Sequence, residues 1–323
     1  MLDAAIVGLG RWGQNLVDAV QGKSDRLRFV RAVVRNPASC AEYAAARGLA
    51  VGTDLAAALA DPAVQAVVLA TPHSLHAAQI VAAAAAGKPV FCEKPLALTR
   101  ADAARATAAC ARAGVALAVG HDKRFWPSMR ELARIVAAGE LGELLHVEGH
   151  NSNETSRVFT AWRAAPAESP GGGMTGAGIH MLDAFVGLLG SVARVQAQLV
   201  TRQTAPEALD TVSVLLEFAN GVSGTLATVR ATPSYWRAHV FGHKGSAEAI
   251  GATELVIRRS GAAPQRLSFD AVPALRAELE AFADAATGRA PYPVTPAQMV
   301  DTTAAFEAIV QSIASGVGVT VAR

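Results

Sequence analysis

The sequence predicts an α/β fold followed by an α+β fold. The first part is a doubly wound parallel sheet, and the second is an α+β domain built on an antiparallel or mixed sheet. Two observations carry this. Up to about residue 122, short apolar runs alternate with helical patterns, the signature of strands covered on both faces. After residue 123 the apolar period changes to two, with hairpin signals such as Asn220-Gly221. The expected boundaries are 1–122 for the first domain and 123–323 for the second. The last helix, Pro296–Ser315, is a candidate to pack back on the first domain.

The elements follow in order. Asp3–Val7 is a short apolar strand that runs into Gly8-Leu9-Gly10-Arg11-Trp12-Gly13. Leu16, Val17 and Val20 mark one face of the next helix, and Gly22 stops it. Leu27–Val34, rich in branched residues, is the second strand. Asn36-Pro37 supplies an N-cap with proline at the first helical position. A weak strand at Ala50-Val51 precedes a clear one at Val64–Ala70. His73–Ala86 is helical and ends at Gly87. Pro89–Cys92 and Val115–Val119 are further strands, separated by a helix with a capping box at Thr99-Arg100-Ala101-Asp102. In the second part, Pro127–Ala138 is a helix. Strands are expected at Leu144–Gly149, Val192–Val200, Thr211–Phe218, Val222–Arg230 and Ala238–Phe241, with a polar, Gly-rich stretch from Asn151 to Gly178.

Composition excludes several classes. The chain has 323 residues, 51% hydrophobic and 17% charged, so it can bury real cores. A net charge of +2 and 5% aromatic residues argue against a nucleic-acid partner. Cys40, Cys92 and Cys110 form no CxxC pair and are too scattered for a disulfide framework, which points to a reducing, cytoplasmic setting. No signal-peptide pattern and no uncharged apolar stretch of spanning length occurs, so no membrane partner is expected.

The glycine motif sits where a dinucleotide needs it, after a strand and opening a helix. Gly8 allows the tight turn, Gly10 lets backbone approach a pyrophosphate, and Gly13 permits close packing of helix on strand. The helix N-terminus adds N–H donors and a positive dipole. NAD users usually carry an acid at the end of the second strand. Here that end reads Val33-Val34-Arg35-Asn36, and no acid lies between Asp25 and Glu42. Arg35, with Arg11, suits a 2′-phosphate, so the expected cofactor is NADP(H), with NAD(H) the alternative. The competing reading of Arg35 is a solvated loop residue.

Glu93-Lys94-Pro95 follows an apolar strand at the ligand edge of the sheet. A lysine there can face the substrate oxygen near a nicotinamide, as a cation or an acid. The plainer reading is a solvated charge pair at a strand end. Two other classes are excluded. None of Tyr43, Tyr235 and Tyr292 has a lysine four residues on, and Gly87-Lys88 is followed by proline rather than by Ser or Thr.

Gly8–Gly13, Thr71-Pro72-His73-Ser74-Leu75-His76, Glu93-Lys94-Pro95-Leu96 and Gly171-Gly172-Gly173 followed by Gly178-Ile179-His180-Met181-Leu182-Asp183 occur in this order. With these motifs the chain resembles the Gfo/Idh/MocA oxidoreductases over nearly its whole length. The resemblance implies a dinucleotide-binding Rossmann domain over 1–122 and then a substrate-binding and oligomerisation domain over 123–323, with a large open, mainly antiparallel sheet whose exposed face often forms the oligomer interface, hence a homodimer or homotetramer. It places the family lysine at Lys94 and the family histidine, a general acid or base, at His180. It also places substrate contacts at Asp183 and Lys123, and a substrate wall at Trp162-Arg163. Thr71, Pro72, His73 and His76 would border the nicotinamide ribose, with Arg11, Trp12 and Glu93 completing the cofactor set. One departure stands out. Many members carry an aspartate four residues before the histidine, where this chain has Gly176.

Other residues have plainer readings. His73-x-x-His76 lacks a third ligand, so no metal is expected. His146 and His150 share one face of a strand. Tyr235-Trp236-Arg237 fits a pocket or an oligomer contact equally. The expected function is an NAD(P)-dependent dehydrogenase or reductase acting on a secondary alcohol or carbonyl of a small polar molecule such as a sugar, cyclitol or dihydrodiol. A glycosidase or lyase using a tightly bound dinucleotide for transient oxidation, and a non-catalytic NADP(H) sensor, are the alternatives.

Overall fold

The computed structural model of the chain describes residues 1–154, 162, 165–203 and 209–322. These residues form two compact units. The first comprises Met1–Ala97, Ala101–Asp122 and Pro273–Pro296; the second comprises Leu98–Arg100, Lys123–Val272 and Ala297–Arg323.

The first unit is built on six strands: β1 (Leu2–Val7), β2 (Leu27–Val33), β3 (Ala50–Gly52), β4 (Ala66–Leu69), β5 (Val90–Glu93) and β6 (Leu117–Gly120). Their order is β3-β2-β1-β4-β5-β6 and every pairing is parallel. Ile6, Val67, Val68, Val90 and Phe91 are wholly buried, because helices cover both faces and leave no side of a central strand wet. The crossover helices are α1 (Arg11–Val20), α2 (Ala41–Ala46), α3 (Leu55–Ala60), α4 (His76–Ala85) and α5 (Arg100–Ala113). Asp54 caps α3 by accepting from the Ala56 amide. The strand order reverses between β1 and β4, where α/β sheets open a crevice at the carboxyl ends of their strands.

Two local expectations need correction. Asn36-Pro37 opens a short 3-10 turn (Pro37–Cys40) with no side-chain cap, and the Ser39 amide bonds the Asn36 carbonyl instead. His73–Leu75 is likewise a 3-10 turn, and the α-helix begins at His76. The first unit also contains a helix that the sequence reading missed, α8 (Ala274–Ala286), which follows the second unit's α6 (Pro127–Ala137) and α7 (Ile179–Leu189) in the chain. Phe282 of α8 packs edge-on against Phe91 of β5 at 5.9 Å, Arg276 donates to the Ala19 carbonyl, and Asp284 pairs with Arg26 at 2.5 Å. The last helix, α9 (Pro296–Ser315), lies in the second unit from Ala297 on.

The second unit holds a nine-stranded sheet: β7 (Leu144–Ser152), β8 (Val192–Gln203), β9 (Leu209–Phe218), β10 (Ser223–Val229), β11 (Tyr235–Gly242), β12 (Gly245–Ile250), β13 (Glu254–Arg259), β14 (Gln265–Ser268) and β15 (Val319–Thr320). The order is β14-β13-β12-β11-β7-β10-β9-β8-β15, antiparallel except for the β10–β7 pair. Period-two alternation sends Val212, Val214, Leu216, Trp236 and Val240 to one face, where Leu132, Leu182, Phe185, Phe306 and Ile309 from α6, α7 and α9 join the same core. The opposite face carries Arg237, paired with Glu148 at 2.9 Å and Glu248 at 2.6 Å. His239 stacks on Phe241 on that face, and burial lowers its imidazole to about 4. Strands β12–β14 were absent from the sequence reading. Glu248, Arg258, Arg259 and Arg266 interrupt their apolar alternation, so only their successive pairing outward from β11 reveals them.

Candidate active site

The glycine loop joins β1 to α1. Gly8 has φ +92°, and a Cβ there would lie 2.6 Å from the Ala70 carbonyl oxygen. A Cβ at Gly13 would lie 2.0 Å from the Gly8 oxygen. Both glycines are therefore required by close approach. At Gly10 a Cβ would meet no heavy atom within 4 Å, and no side chain caps the helix that starts there. The start of α1 thus leaves room beside Gly10, at the positive end of the helix dipole. The Gly8 amide donates to the Val33 carbonyl at 2.9 Å and Ala70 N–H to Val7 at 2.8 Å, which ties the ends of β1, β2 and β4 together. Arg11 beside the loop and Arg35 beyond β2 are exposed, and neither enters an ion pair among the described residues.

Thr71 and Pro72 follow β4, half-buried; Thr71 Oγ1 donates to Gln79 at 2.6 Å. His73 is buried, edge-on to His76 at 5.7 Å. His76 is fully buried between two main-chain carbonyl oxygens, with Nε2 3.1 Å from Thr71 O and Nδ1 2.8 Å from Pro95 O. Both partners are acceptors, so imidazolium donates to both and imidazole to one. His76 ties the loop after β4 to the loop after β5, a role its expected place beside a ribose did not suggest. Among the described residues no group of three or more His, Cys, Asp or Glu is arranged for a metal ion.

Glu93 ends β5, and half-buried Lys94 follows it. The Glu93 carboxylate lies flat on Gly120 of β6, where a Cβ would come within 2.9 Å of Oε1. The Lys94 amide donates to Oε2 at 3.2 Å. Burial pushes the Glu93 carboxyl up to about 7, and the Trp12 indole N–H and the Lys94 charge pull it back. Trp12 Nε1 and Glu93 Oε1 are both buried without a complete hydrogen bond. The open space beside Gly10 and this unsatisfied pair fit a dinucleotide lying across the strand ends.

In the second unit, Gly173 opens a single π-turn, Met174–Gly178, that runs directly into α7. The turn is pinned from several sides. The Gly173 amide donates to Asp210 Oδ1 at 3.1 Å, Asn151 Nδ2 donates to the Ala177 carbonyl at 2.7 Å, and Thr175 Oγ1 donates to the Pro170 carbonyl. Asp210 is buried beside Arg230 at 3.2 Å. Burial raises the Asp210 carboxyl, and Arg230 and the Gly173 amide pull it back. His180, half-buried, is the second residue of α7. None of Asn151, Asp210 and Arg230 was singled out in sequence, because each lies far along the chain from the motif it supports.

Asp183, one turn after His180, is 1% exposed and held by Arg124, whose Nε donates to Oδ2 at 2.6 Å. Its carboxylate therefore has a protein partner already, where the sequence reading had it meet a substrate hydroxyl. Lys123 precedes Arg124 in a 3-10 turn, with its ammonium 4.4 Å from the centre of the Trp126 ring. Trp126 in turn meets Trp236 edge-on at 5.4 Å. Trp162 is half-buried, and its carbonyl accepts from the Ala165 amide at 3.2 Å; Arg163 lies outside the described residues.

Both parts of the chain are similar to known proteins. Residues 2–121 match the oxidoreductase family with an NAD-binding Rossmann fold, and residues 129–248 match the GFO/IDH/MocA C-terminal domain. The chain is 30% identical over 306 residues to the rhizopine catabolism protein MocA of Rhizobium meliloti, covering 91% of this chain and 90% of that protein. It is 30% identical over 202 residues to mouse trans-1,2-dihydrobenzene-1,2-diol dehydrogenase, covering 61% of this chain but only 59% of that enzyme. The crystal structure of aldose-aldose oxidoreductase from Caulobacter crescentus superposes with a TM-score of 0.86 at 25% identity over 99% of both chains. With both halves matched and a relative aligned nearly end to end, the chain belongs to the Gfo/Idh/MocA family of NAD-binding oxidoreductases.

Proposed function

We propose that the protein is a dehydrogenase or reductase that interconverts a secondary alcohol and a carbonyl on a small polar substrate, a sugar, cyclitol or dihydrodiol, with NADP(H) as the preferred dinucleotide. The observation that carries this reading is the position of Lys94. It follows β5, next in the sheet to β4, at the edge where the strand order reverses and space stands open beside Gly10.

Gly8, Gly10 and Gly13 shape the pyrophosphate cradle, and the α1 dipole favours its charge. Arg35, with Arg11, faces the 2′-phosphate. Thr71, Pro72, Trp12 and Glu93 border the nicotinamide side. A bound nicotinamide takes up or supplies the electron pair of the carbon–hydrogen bond. Lys94 holds the substrate oxygen and favours negative charge on it. His180 accepts the hydroxyl proton in oxidation and returns it in reduction. Lys123, Trp162 and Arg163 contact the substrate, and Asp183, held by Arg124, orients the helix that carries His180. Three free, buried cysteines support a reducing, cytoplasmic setting, and the open face of the nine-stranded sheet supports a homodimer or homotetramer. No described helix is long and apolar enough to cross a membrane.

The test is a panel of sugars, polyols and diols followed at the nicotinamide absorbance band, with both cofactors run in parallel. Turnover that disappears in Lys94→Ala while dinucleotide binding persists supports the reading. Binding of NADPH with no turnover across the panel overturns it in favour of a sensor.

A further inference from the structure

A carboxylate at the end of a buried apolar strand is costly, and here the fold makes a place for one. Val90, Phe91 and Cys92 of β5 are wholly buried, and Glu93, which follows them, is 6% exposed. Its register partner on β6 is Gly120. A Cβ at Gly120 would lie 2.9 Å from Oε1, 3.1 Å from the carboxyl carbon and 3.2 Å from Oε2, so the glycine gives the carboxylate its seat. The seat does not satisfy it. The Lys94 amide donates to Oε2 at 3.2 Å, while among the described residues Oε1 has no hydrogen-bond partner, and neither has the indole N–H of Trp12 from α1. Buried polar atoms in this state are costly until a ligand completes them.

Lys94 favours the ionised form of Glu93, and Asp122, just after β6, opposes it. The Cys92 thiol, next to it in the chain, is kept neutral by burial. Burial outweighs the other effects and carries the Glu93 carboxyl up to about 7. A group with that value passes from about one-tenth to about nine-tenths ionised between pH 6 and pH 8. A change of one charge nearby therefore decides its state.

We propose that Glu93 makes the site distinguish the two oxidation states of its dinucleotide: as a carboxylate it favours the positively charged oxidised nicotinamide, and as a neutral acid it favours neither form. This rests on the oxidoreductase reading above, in which Glu93 borders the nicotinamide and Lys94 the reacting oxygen. The oxidised ring carries a positive charge and the reduced ring carries none. In a water-poor site a charge acts over several ångströms, so the carboxylate need not touch the ring. Binding of the oxidised form and loss of the Glu93 proton then favour each other. Ionisation of Glu93 makes the bound couple a weaker oxidant.

The experiment measures dissociation constants of NADP⁺ and NADPH by calorimetry from pH 6 to pH 8, for the parent protein and Glu93→Gln, with NAD⁺ and NADH in parallel. The readout is the ratio of the oxidised to the reduced constant. Groups that respond alike to both forms, the 2′-phosphate and His76 among them, cancel in it. Expected in the parent is a ratio that falls about five- to tenfold across this range as Glu93 ionises. At pH 7, NADP⁺ releases about half a proton more than NADPH on binding. In Glu93→Gln the ratio is flat and stays near the parent's value at pH 6. A flat ratio in the parent assigns Glu93 to contacts common to both forms and overturns the inference alone, as does the same fall in Glu93→Gln. If Glu93→Gln does not fold, the parent's proton release decides, and equal release with both forms overturns the inference. Failure of all these dinucleotides to bind overturns the oxidoreductase reading, and this inference with it.

Discussion

Arg124 holds Asp183 in three hydrogen bonds. Nε donates to Oδ2 at 2.6 Å, and Nη2 donates to Oδ1 at 3.2 Å and to the main-chain oxygen of Asp183 at 2.7 Å. The guanidinium lies on Gly187, one turn further along α7, where a Cβ would come within 1.7 Å of Nη1. The side chains are 16% and 1% exposed, so this is a buried pair rather than a surface one. Through it the turn bearing Lys123 is fastened to the helix bearing His180.

Removing one partner leaves the other charge buried. Asp183→Ala is expected to cost about 3–5 kcal/mol, read by urea unfolding. Gly187→Ala displaces the guanidinium and is expected to cost about 1–3 kcal/mol. A Gly187→Ala protein as stable as the parent would show that Arg124 does not rest there.

The buried Glu93 carboxyl gives a pH signature in the ligand-free protein. Its folded value of about 7 lies above its unfolded value of 4.5. Between these pH values the folded chain keeps a proton that the unfolded chain has released. Stability from this group is therefore present below about pH 4.5 and is lost as pH rises through 7, falling by at most about 1.4 kcal/mol for each pH unit crossed. Glu93→Gln is neutral at every pH. It should match the parent near pH 5 and exceed it at pH 8, and a pH-independent difference would contradict the buried, raised carboxyl.

Lys94→Ala is expected to lower kcat/KM by a factor of about 10²–10⁴ while dinucleotide affinity persists. His180→Ala should act mainly on kcat, since a proton-transfer role is realised in the transition state. Near-parent kcat in the Lys94 variant removes it from the chemistry. A KM effect alone assigns His180 to binding.

Cofactor choice is tested at Arg35. Losing a charge-assisted contact to a 2′-phosphate is expected to raise KM for NADP(H) about tenfold, with the NAD(H) constants unchanged. Equal changes for both cofactors, or a parent protein that prefers NAD(H), would leave Arg35 as a solvated loop residue.

The sequence by itself determined the parallel sheet and the glycine loop, because both rest on local rules. Fully buried strands must be apolar throughout, Gly8 takes a positive φ in its own turn, and Gly13 answers a contact with Gly8 inside one strand–turn–helix unit. It also marked Lys94 and His180 by the motifs around them. The tertiary structure alone decided what supports those residues. Arg124 and Asp183 are 59 residues apart, and Gly173 and Asp210 are 37 apart. A buried ion pair between distant elements leaves no periodic trace in the chain. The same holds for α8, which follows the second unit's strands in sequence yet packs Phe282 against Phe91 in the first. Short-range patterns fix which face of an element is apolar, but which partner covers that face is settled only when the whole chain closes on its cores.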